Sequence, residues 1–428
     1  MPSDGLDLAP FRALRYAPER VTSLAAVTSP PYDVVVRPEG RRRLETAEPY
    51  NIVRLILPEA TDPAAGHRRA AATLRRWLTD GALAPDPAPA LYVYEQRSGD
   101  RLQRGVLGAL RLSRPEEGVV LPHEDVMPEV VADRAALMRA TAANLEPLLL
   151  SYRSDGSVAG AAAVVERAAG EPPLLSITTA DGVGHRLWAV TEPAEQAAIA
   201  RDLSRRRALI ADGHHRWATY LRLAAEHGNA PPWDRGLVLL VDTARFPLRV
   251  QAIHRVLPGL PVDRALADLE GVCRVRRVAG PLTEALGTLA GTAENAFLLA
   301  GAGAFQLLDR IDPGLLARAV PADRPEAWRR LDATVLHAAL LGEAWRRPDE
   351  TAGIGYLHDA GAAVAQAEAA GGTAVLMRPV AEETVRELAE RGITMPHKST
   401  SFGPKPASGL VLRALNPAWE DPSANGAG

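Results

Sequence analysis

The feature that most constrains the fold is a strand–turn–helix pattern at residues 208–228. Residues 208–211 (ALIA) are uniformly apolar, as in a buried strand, and lead into the polar turn Asp-Gly-His-His-Arg at residues 212–216. Apolar side chains then recur at helical spacing up to Gly228, a residue type that commonly ends a helix. Because strands that run directly into helices are the building units of α/β proteins, this pattern predicts an α/β fold of the mixed α+β type.

Other segments also show strand-like or helical patterns. Residues 237–241 (LVLLV) are apolar throughout, as expected of a strand covered on both faces, and residues 250–256 are expected to lie beside them. Residues 131–144 are predicted to form a helix with Asp133 in its first turn, where a carboxylate complements the helix dipole. The other predicted elements are strands at residues 50–57, 91–95 and 105–112 and a helix at residues 64–78.

The chain has 428 residues, whereas single hydrophobic cores stop growing at about 250 to 300 residues. We therefore expect a core at residues 1–258 that carries the polar turn, followed by a mainly helical region at residues 259–350 with one strand-like run that begins at Phe297. A C-terminal β-α-β-α-β region at residues 351–416 is expected to pack back on the site, and residues 417–428 are expected to form a flexible tail.

Composition argues against several classes of partner and site. The net charge of −3, with acidic and basic residues interspersed, gives no basic stripe for nucleic acid. The sequence has no uncharged apolar stretch long enough to span a membrane, and its charged start lacks the apolar core of a secretory signal, so we expect a cytoplasmic protein. Cys273 is the only cysteine, which leaves oxygen and imidazole ligands for any metal.

Lysine is rare in this chain. The 49 basic residues include two lysines only, Lys398 and Lys405, in a single segment at residues 395–406 that also carries three hydroxyls and three prolines. Where a generic positive charge suffices the chain uses arginine, so a retained lysine indicates a position that needs a compact ammonium. The segment therefore favours contact with a phosphate or carboxylate, the alternative being chance survival of lysine at a solvated surface.

The Asp-Gly-His-His-Arg turn carries the strongest chemical signal. A helix N-terminus exposes unpaired N–H groups and a partial positive charge, which suits an anion, and Gly213 lets a phosphate approach the backbone. His214, His215 and Arg216 add donors in the first turn. Asp212 would cap the helix or hold a Mg²⁺ ion that bridges phosphates. Two alternatives stay open: a plain N-cap with surface histidines, and imidazole ligands for a transition metal.

Three further segments combine polar groups in ways that suit a site. His123 lies beside two carboxylates, Glu124 and Asp125, a combination that suits a general base or a metal ligand. A tyrosine and an aspartate follow two stiffening prolines at residues 30–31, and a His-Arg pair lies near the end of the strand predicted at residues 250–256. In each case a solvated loop or surface pair is the plain alternative. Together with two hydroxyls beside Lys398, the substrate-binding candidates are Tyr32, Asp33, His254, Arg255, Ser399 and Thr400.

Together, these motifs resemble a bacterial and archaeal family, the domain of unknown function family numbered 1015. The resemblance runs nearly end to end and rests on SPPYDV, LPHE, RAALMRATAANLEPL, ADGHHRW, the strand-end HR pair, RLDATVLH, YLHD and MPHKSTSFGPKPASGLV. The family name implies no activity.

The Asp-Gly-His-His-Arg turn also resembles the phosphate-binding motif of the ParB/sulfiredoxin superfamily, which includes free serine kinases that use ADP or ATP. This resemblance covers only the turn and its flanks. It implies a ParB/sulfiredoxin-like phosphate-binding core, to which this chain adds its C-terminal β-α-β-α-β region. It also implies that the turn holds nucleotide phosphates while a separate acidic residue, upstream of the turn, activates the hydroxyl. Glu124 is the candidate for that residue by its chemistry and its order in the chain.

The leading hypothesis is a nucleotide-dependent phosphotransferase acting on a small hydroxyl-bearing metabolite such as free serine, with ATP or ADP and Mg²⁺. Nucleotide and a small-molecule substrate would be its partners, without nucleic acid or membrane. Such catalysis depends mainly on positioning and electrostatics. The catalytic candidates are Glu124, His123, His215 and Lys398; the phosphate- and nucleotide-binding candidates are Asp212, Gly213, His214, His215, Arg216 and Lys405; the metal candidate is Asp212.

Two other hypotheses use the same residues. A metal-dependent hydrolase would cleave a phosphoester or an amide without any nucleotide. A nucleotide-binding sensor would bind its ligand without turnover. The sequence leaves open the phosphoryl acceptor, the choice among ADP, ATP and CTP, and the oligomeric state.

Overall fold

The structure, a computed structural model, describes residues 5–35, 38–347 and 353–419. The chain divides into two compact units. The first unit comprises Met1–Leu248 together with Pro404–Gly428, and the second unit comprises Arg249–Gly403.

The strands and helices are numbered in chain order. The strands are β1 (Leu8–Ala9), β2 (Ala13–Tyr16), β3 (Leu83–Pro85), β4 (Leu91–Ser98), β5 (Arg101–Arg111), β6 (Val120–Leu121), β7 (Ala143–Asn144), β8 (Leu148–Tyr152), β9 (Leu175–Thr178), β10 (Gly184–Val190), β11 (Ala208–Asp212), β12 (Arg235–Asp242), β13 (Arg249–Gln251), β14 (His254–Leu257), β15 (Arg274–Val278), β16 (Phe297–Gly301), β17 (Ala304–Asp309), β18 (Gly355–Leu357), β19 (Thr373–Leu376), β20 (Ser401–Gly403) and β21 (Leu412–Ala414). The α-helices are α1 (Leu24–Val27), α2 (Pro38–Ala47), α3 (Val53–Ile56), α4 (Pro63–Thr79), α5 (Pro128–Thr141), α6 (Ala161–Ala169), α7 (Pro193–Leu203), α8 (His214–Glu226), α9 (Val262–Ala267), α10 (Leu282–Ala290), α11 (Pro313–Ala319), α12 (Glu326–Arg329), α13 (Asp332–Val335), α14 (Ala360–Ala369) and α15 (Glu382–Glu390). Short 3₁₀ helices cover Pro18–Arg20, Pro115–Glu117 and Pro417–Trp419, and a π-helix covers Leu336–Ala344.

The first unit contains a nine-stranded sheet in the order β6-β11-β8-β12-β5-β4-β10-β9, with β1 paired to β5. Strand β11 is parallel to β6, and β8 is parallel to β12, whereas the other pairs are antiparallel. A second sheet of four strands has the order β3-β2-β21-β7. The α/β fold class of mixed α+β type is therefore confirmed, as are the hairpin β4–β5 and the helix α4.

The sequence of strand β12 is apolar without alternation because side chains on both of its faces are buried. Val238 and Leu240 belong to the main core cluster of the first unit, and the alternating residues Leu237, Leu239 and Val241 are also buried. Helix α8 contributes Tyr220 to the same cluster, and this ring lies directly on Gly236: a Cβ added there would lie 2.2 Å from Tyr220 Cδ2. This close approach fixes α8 against the sheet, and with it the turn that precedes the helix.

Residues 50–57 were predicted to be a strand, but they contain the helix α3 (Val53–Ile56). The Asn51 side chain accepts a hydrogen bond from the Val53 N–H (2.9 Å) and donates one to the Thr28 carbonyl (3.0 Å). Such a side-chain bond to the backbone starts a helical turn in place of a strand ladder. The prediction was wrong because a short apolar run has the same pattern in a buried strand and in a buried helix.

The helix predicted at residues 131–144 begins and ends three residues earlier, at Pro128–Thr141. Pro128 occupies the first turn, where its missing N–H is not needed. Asp133 therefore lies beyond the first turn, and its Oδ1 contacts His67 Nε2 (3.0 Å) instead of complementing the helix N-terminus.

The second unit is built on an antiparallel sheet in the order β15-β17-β16-β19-β14-β18, with a separate ribbon of β13 and β20. Strands β15 and β17 lie in the region expected to be mainly helical, where only the run beginning at Phe297 was read as strand-like. Strand β15 (RVRRV) is largely exposed at the edge of its sheet. An exposed, charged edge strand lacks the apolar alternation by which strands are recognised.

The segment predicted at residues 250–256 does not pair with β12. Instead it forms β13, which pairs with β20, and β14, which pairs with β18 and β19. The N-terminal part of the first unit therefore ends at Leu248 and not at the expected boundary, residue 258. The expected C-terminal region is also divided. Its elements β18, α14, β19 and α15 form in the second unit, whereas β21 pairs with β2 and β7 in the first.

Residues 417–419 of the expected tail form a 3₁₀ turn, and residues 420–428 lie outside the described part of the chain. Among the helices described, none is both long and apolar enough to cross a bilayer.

Candidate functional site

Strand β11 and helix α8 are joined by Gly213 alone, as the sequence predicts. Gly213 adopts φ 101°, in the region that favours glycine, and a Cβ there would lie 2.8 Å from Leu148 Cγ. The ladder between β11 and β8 shifts register between Ile210 and Asp212, which turns the end of the strand out of its pairing. The N-cap of α8 makes no side-chain hydrogen bond, so the first-turn N–H groups depend on other partners.

Arg216 holds this turn in place through hydrogen bonds of its guanidinium. Its side chain is buried, and it donates to Asp212 Oδ2 (2.7 Å) and to the Pro147 carbonyl (3.0 Å). Burial lowers the pKa of the guanidinium, but Glu146 and Asp212 outweigh it, and the pKa is raised. The absent Cβ of Gly213 would lie 3.2 Å from Arg216 Nε. Arg216 is thus a buried, fixed charge under the helix start and not an exposed phosphate clamp.

Lys405 lies at the same turn, as expected for the lysine-containing segment. Its Nζ is 2.5 Å from Asp212 Oδ1 and also forms an ion pair with Asp33. Burial lowers the pKa of the ammonium, but the two carboxylates raise it further, so the net shift is upward. Lys405 therefore keeps its charge and is held at a defined position between two carboxylates.

The two histidines of the turn connect α8 to the loop at residues 123–127 through hydrogen bonds. His214 Nε2 accepts a hydrogen bond from the His123 N–H (3.2 Å), and His215 Nε2 accepts one from the Met127 N–H (3.1 Å). Burial first, then His215 and Lys405, lower the pKa of His214 to about 3. A neutral imidazole that accepts at Nε2 carries its proton on Nδ1. His214 is therefore a neutral acceptor that holds the loop at His123, whereas the sequence suggested a donor to phosphate.

Glu124 is held between two neutral imidazoles. Its carboxylate lies 3.6 Å from His214 Nδ1 and 3.9 Å from His123 Nε2, and about a third of its side chain is exposed (34%). The two rings meet edge to face at 4.4 Å. Burial first, then His214, lower the pKa of His123 to about 3, against an opposite effect of Glu124. The arrangement presents one carboxylate to solvent beside the first residue of α8.

Glu146 was not recognised from the sequence. This carboxylate is buried and accepts hydrogen bonds from the Tyr32 N–H (3.0 Å) and from Ser408 Oγ (2.9 Å). Burial raises its pKa, against the opposite effect of Arg216. Glu146 therefore joins three segments that are distant in sequence. A lone acidic residue two positions before the apolar strand Leu148–Tyr152 was the signal that could have identified it.

Tyr32 and Asp33 belong to the same group of residues. The guanidinium of Arg134, also unrecognised in the sequence, lies 4.8 Å from the Tyr32 ring centroid, and that of Arg216 lies 5.8 Å from it. These are cation–π distances. Burial raises the pKa of Tyr32, with smaller and opposing effects of nearby charges. The ring therefore fixes the loop that brings Asp33 to Lys405.

The remaining candidates belong to the second unit. His254 is buried, its Nδ1 accepts from the Met377 N–H (3.1 Å), and burial first, then Arg255, lower its pKa to about 4. Ser399 Oγ donates to the Pro396 carbonyl (2.6 Å). The structure thus divides the predicted site residues between the units, and those in the second unit are His254, Arg255, Lys398, Ser399 and Thr400.

The residues around Asp212 do not fit a protein-held Mg²⁺ ion as they are arranged. Asp212 Oδ1 is engaged by Lys405, and Oδ2 is engaged by Arg216. No group of three or more His, Cys, Asp or Glu side chains suited to a metal ion occurs in the residues that the structure describes. Both turn histidines also use Nε2, a nitrogen with which a histidine would ligate a metal, to accept backbone hydrogen bonds.

Three solved structures illustrate what the chain is similar to. SbnI with a C-terminal truncation, from Staphylococcus aureus, has 10% identity and a TM-score of 0.36, over 69% of this chain and 82% of that one. A free serine kinase in complex with AMP has 17% identity and a TM-score of 0.34, over 70% and 87%. A conserved hypothetical protein from Pyrococcus furiosus has 17% identity and a TM-score of 0.33, over 70% and 90%. At such scores these likenesses carry no argument about activity.

No curated protein matches the chain. A family model described as "Protein of unknown function (DUF1015)" matches residues 8–334. That span includes the loops of Asp33 and Glu124 and the turn at Gly213, and it covers well over half of the sequence. The family predicted from the motifs is therefore confirmed: the chain belongs to the DUF1015 proteins.

Proposed function

We propose that the first unit carries a nucleotide-dependent phosphotransferase site for a small hydroxyl-bearing metabolite, with free serine as a candidate acceptor. One observation supports this most. The N-terminal turn of α8 lies beside a fixed cation, Lys405, which is paired with Asp212, and beside a solvent-accessible carboxylate, Glu124, which faces His214. Phosphoryl transfer needs these elements: an anion site, a positive charge for the transferring group, and a base.

The phosphates would bind at the start of α8. Its backbone N–H groups and helix dipole favour an anion. Gly213 serves the packing of the turn, because Leu148 and Arg216 occupy the space that a Cβ would need. Lys405 would supply the positive charge, since its ion pairs keep it protonated. Arg216 would contribute its charge from beneath without touching the ligand, because its guanidinium is committed to Asp212 and Pro147.

Glu124 would act as the general base. The acceptor hydroxyl gives its proton to this carboxylate while its oxygen bonds to the terminal phosphorus and the bridging P–O bond breaks. The products are the phosphorylated acceptor and ADP from ATP, or AMP from ADP. His123 and His214 would orient Glu124, and His215 would hold the loop through Met127, so we assign these histidines positioning roles.

The hydrolase alternative is less well supported. It would require His214 and His215 to ligate a metal, but Nε2 of each accepts a hydrogen bond from the 123–127 loop. A sensor that binds nucleotide without turnover would not need Glu124 beside the helix start.

Turnover with ATP or ADP and serine, followed by ³¹P NMR, tests the proposal. Glu124→Gln should lower kcat about a hundredfold or more, because it removes the base, while nucleotide binding persists. Glu129→Gln is the matched control: this exposed glutamate lies in the first turn of α5, and its loss should leave kcat unchanged.

Nucleotide binding without any phosphorylated product from a panel of hydroxyl-bearing acceptors would instead identify a sensor. Equal kcat values for Glu124→Gln and the unaltered protein would refute the assigned base.

A further inference from the structure

Two side chains of β4 hold the backbone segment that carries Lys405. Gln96 Nε2 donates to the Lys405 carbonyl (2.9 Å), and the Tyr94 hydroxyl accepts from the Ala407 N–H (3.2 Å). Gln96 and Tyr94 are both buried. Between the two points of attachment lies Pro406, whose ring fixes φ. The sheet therefore fixes the backbone from which the Lys405 side chain reaches Asp212.

The Tyr94 hydroxyl also contacts His185, which lies on the neighbouring strand β10. The tyrosine oxygen is 2.8 Å from His185 Nδ1, and His185 Nε2 is 3.2 Å from Thr179 Oγ1. Thr179 Oγ1 donates in turn to Asp181 Oδ1 (2.6 Å), an exposed carboxylate between β9 and β10. These groups form one continuous chain of hydrogen bonds from Asp181 at the surface to the Ala407 N–H.

The donors determine the direction of each hydrogen bond in this chain. The Ala407 N–H donates to Tyr94, so the hydrogen of this buried hydroxyl goes to the acceptor within reach, His185 Nδ1. A neutral His185 then carries its proton on Nε2 and donates to Thr179 Oγ1, whose own hydrogen goes to Asp181. Burial lowers the pKa of His185, against an opposite effect of Asp181, which favours this neutral form. A buried chain in which each hydrogen has an acceptor holds its members in one geometry.

We propose that Tyr94 and His185 are positioning residues of the phosphotransferase site, and that they act on Lys405 through the Ala407 N–H. The inference rests on the proposed function, in which Lys405 supplies the positive charge for the phosphates. Together with Gln96, the two residues hold the 405–407 backbone, and that backbone determines where the ammonium lies at the start of α8. Such positioning matters because a misplacement of about 1 Å at a reacting centre can cost about a hundredfold in rate.

Calorimetric titration of the full chain with ADP and with adenosine tests the proposal. Tyr94→Phe keeps the ring and removes the hydroxyl, which leaves the Ala407 N–H without its acceptor and breaks the chain. The variant should bind ADP about fivefold more weakly, the usual effect of losing one hydrogen bond, with adenosine affinity unchanged. In a Lys405→Met background, Tyr94→Phe should have no further effect on ADP affinity, because a residue that acts through Lys405 has nothing left to position.

Tyr92→Phe is the matched control. Tyr92 lies two residues earlier on β4, and its hydroxyl likewise accepts from a backbone N–H, that of Ala13 (3.3 Å), and donates to a side chain, that of Asp86 (2.6 Å). Its loss should lower the thermal unfolding temperature about as much as Tyr94→Phe does, yet leave ADP affinity unchanged. His185→Leu should reproduce the effect of Tyr94→Phe, whereas His185→Gln, whose amide retains an acceptor and a donor, should restore most of the affinity.

Equal ADP affinity for Tyr94→Phe and the unaltered protein would overturn the inference while leaving the proposed function in place. An equal loss of affinity in Tyr92→Phe, or a further loss when Tyr94→Phe is added to Lys405→Met, would also overturn it, since either result indicates a general structural role. If the unaltered protein binds no ADP, the proposed function fails, and the inference fails with it.

Discussion

The two lysines come from one short segment, yet they have opposite environments. Lys405, in the first unit, is largely buried and forms ion pairs with Asp33 and Asp212. Lys398, in the second unit, is exposed on a left-handed backbone beside His397. A compensated, buried cation is fixed in place, as chemistry at one atom requires, whereas an exposed cation retains its attraction for an incoming anion.

A buried guanidinium lies in each unit. The charge of Arg216, in the first unit, is countered by Asp212 and Glu146. Arg255, in the second unit, contacts His337 Nε2, the Ile253 carbonyl and the ring of Tyr356. In both units, several partners hold the guanidinium in a defined geometry.

Acid is expected to affect the first unit most. His123 and His214 have pKa values of about 3 because of burial, whereas His254 of the second unit has one of about 4. Histidines of the unfolded chain take up protons below pH 6.5 while these stay neutral, so the free energy of unfolding falls as the pH falls. Each such histidine costs about 1.4 kcal/mol per pH unit between 6.5 and its folded pKa.

Hydrogen exchange from pH 7 to pH 5, corrected for intrinsic rates, measures how far each unit loses stability as the pH falls. Peptides of the first unit should lose protection at a higher pH than those of the second. His214→Gln should bring the two pH values closer, because it removes one buried neutral histidine from the first unit. Loss of protection in the second unit before the first would contradict the expected greater acid sensitivity of the first unit.

Alanine at Gly213 should cost about 3 kcal/mol of unfolding free energy, since the left-handed φ and the 2.8 Å approach to Leu148 both oppose a Cβ. Gly228→Ala is the control: φ is 67°, but nothing lies within 4 Å of the new Cβ, so about 1 kcal/mol is expected. Denaturant unfolding followed by tryptophan fluorescence compares the two. Equal losses would show that Gly213 is required for its φ alone and not for packing.

The lysines themselves should differ in their effect on stability. Lys405→Met leaves two carboxylates without their shared cation and should destabilise the first unit by about 1 to 2 kcal/mol. Lys398→Met should stay within about 0.5 kcal/mol, as for other exposed positions. Thermal unfolding of both variants measures the loss of stability. A larger loss for Lys398→Met than for Lys405→Met would contradict the assignment of Lys405 as the buried, paired lysine.

Local patterns determined what the sequence could predict. The β11–α8 turn was identified because strand, glycine and helix are contiguous, and the lysine bias indicated that Lys405 would join it. Glu146 was missed because its partners, Tyr32 and Ser408, lie 114 and 262 positions away. The division of the lysine segment between the units was missed for the same reason, since strand pairing across the chain decides it.

The roles of the turn histidines also depended on distant contacts. Sequence shows two adjacent imidazoles in a first helical turn, which suggests donors for phosphate. The structure shows acceptors instead, because the loop that donates to them lies about ninety residues earlier, at His123 and Met127.

Calorimetric titration with ADP, AMP and adenosine tests the central claim most directly, because it asks whether the start of α8 binds phosphate. Affinity should rise with phosphate number, with ADP at least about tenfold tighter than adenosine, and Lys405→Met should remove most of that gain. Equal affinity for ADP and adenosine, or no binding of ADP, would contradict a nucleotide phosphate site at Gly213.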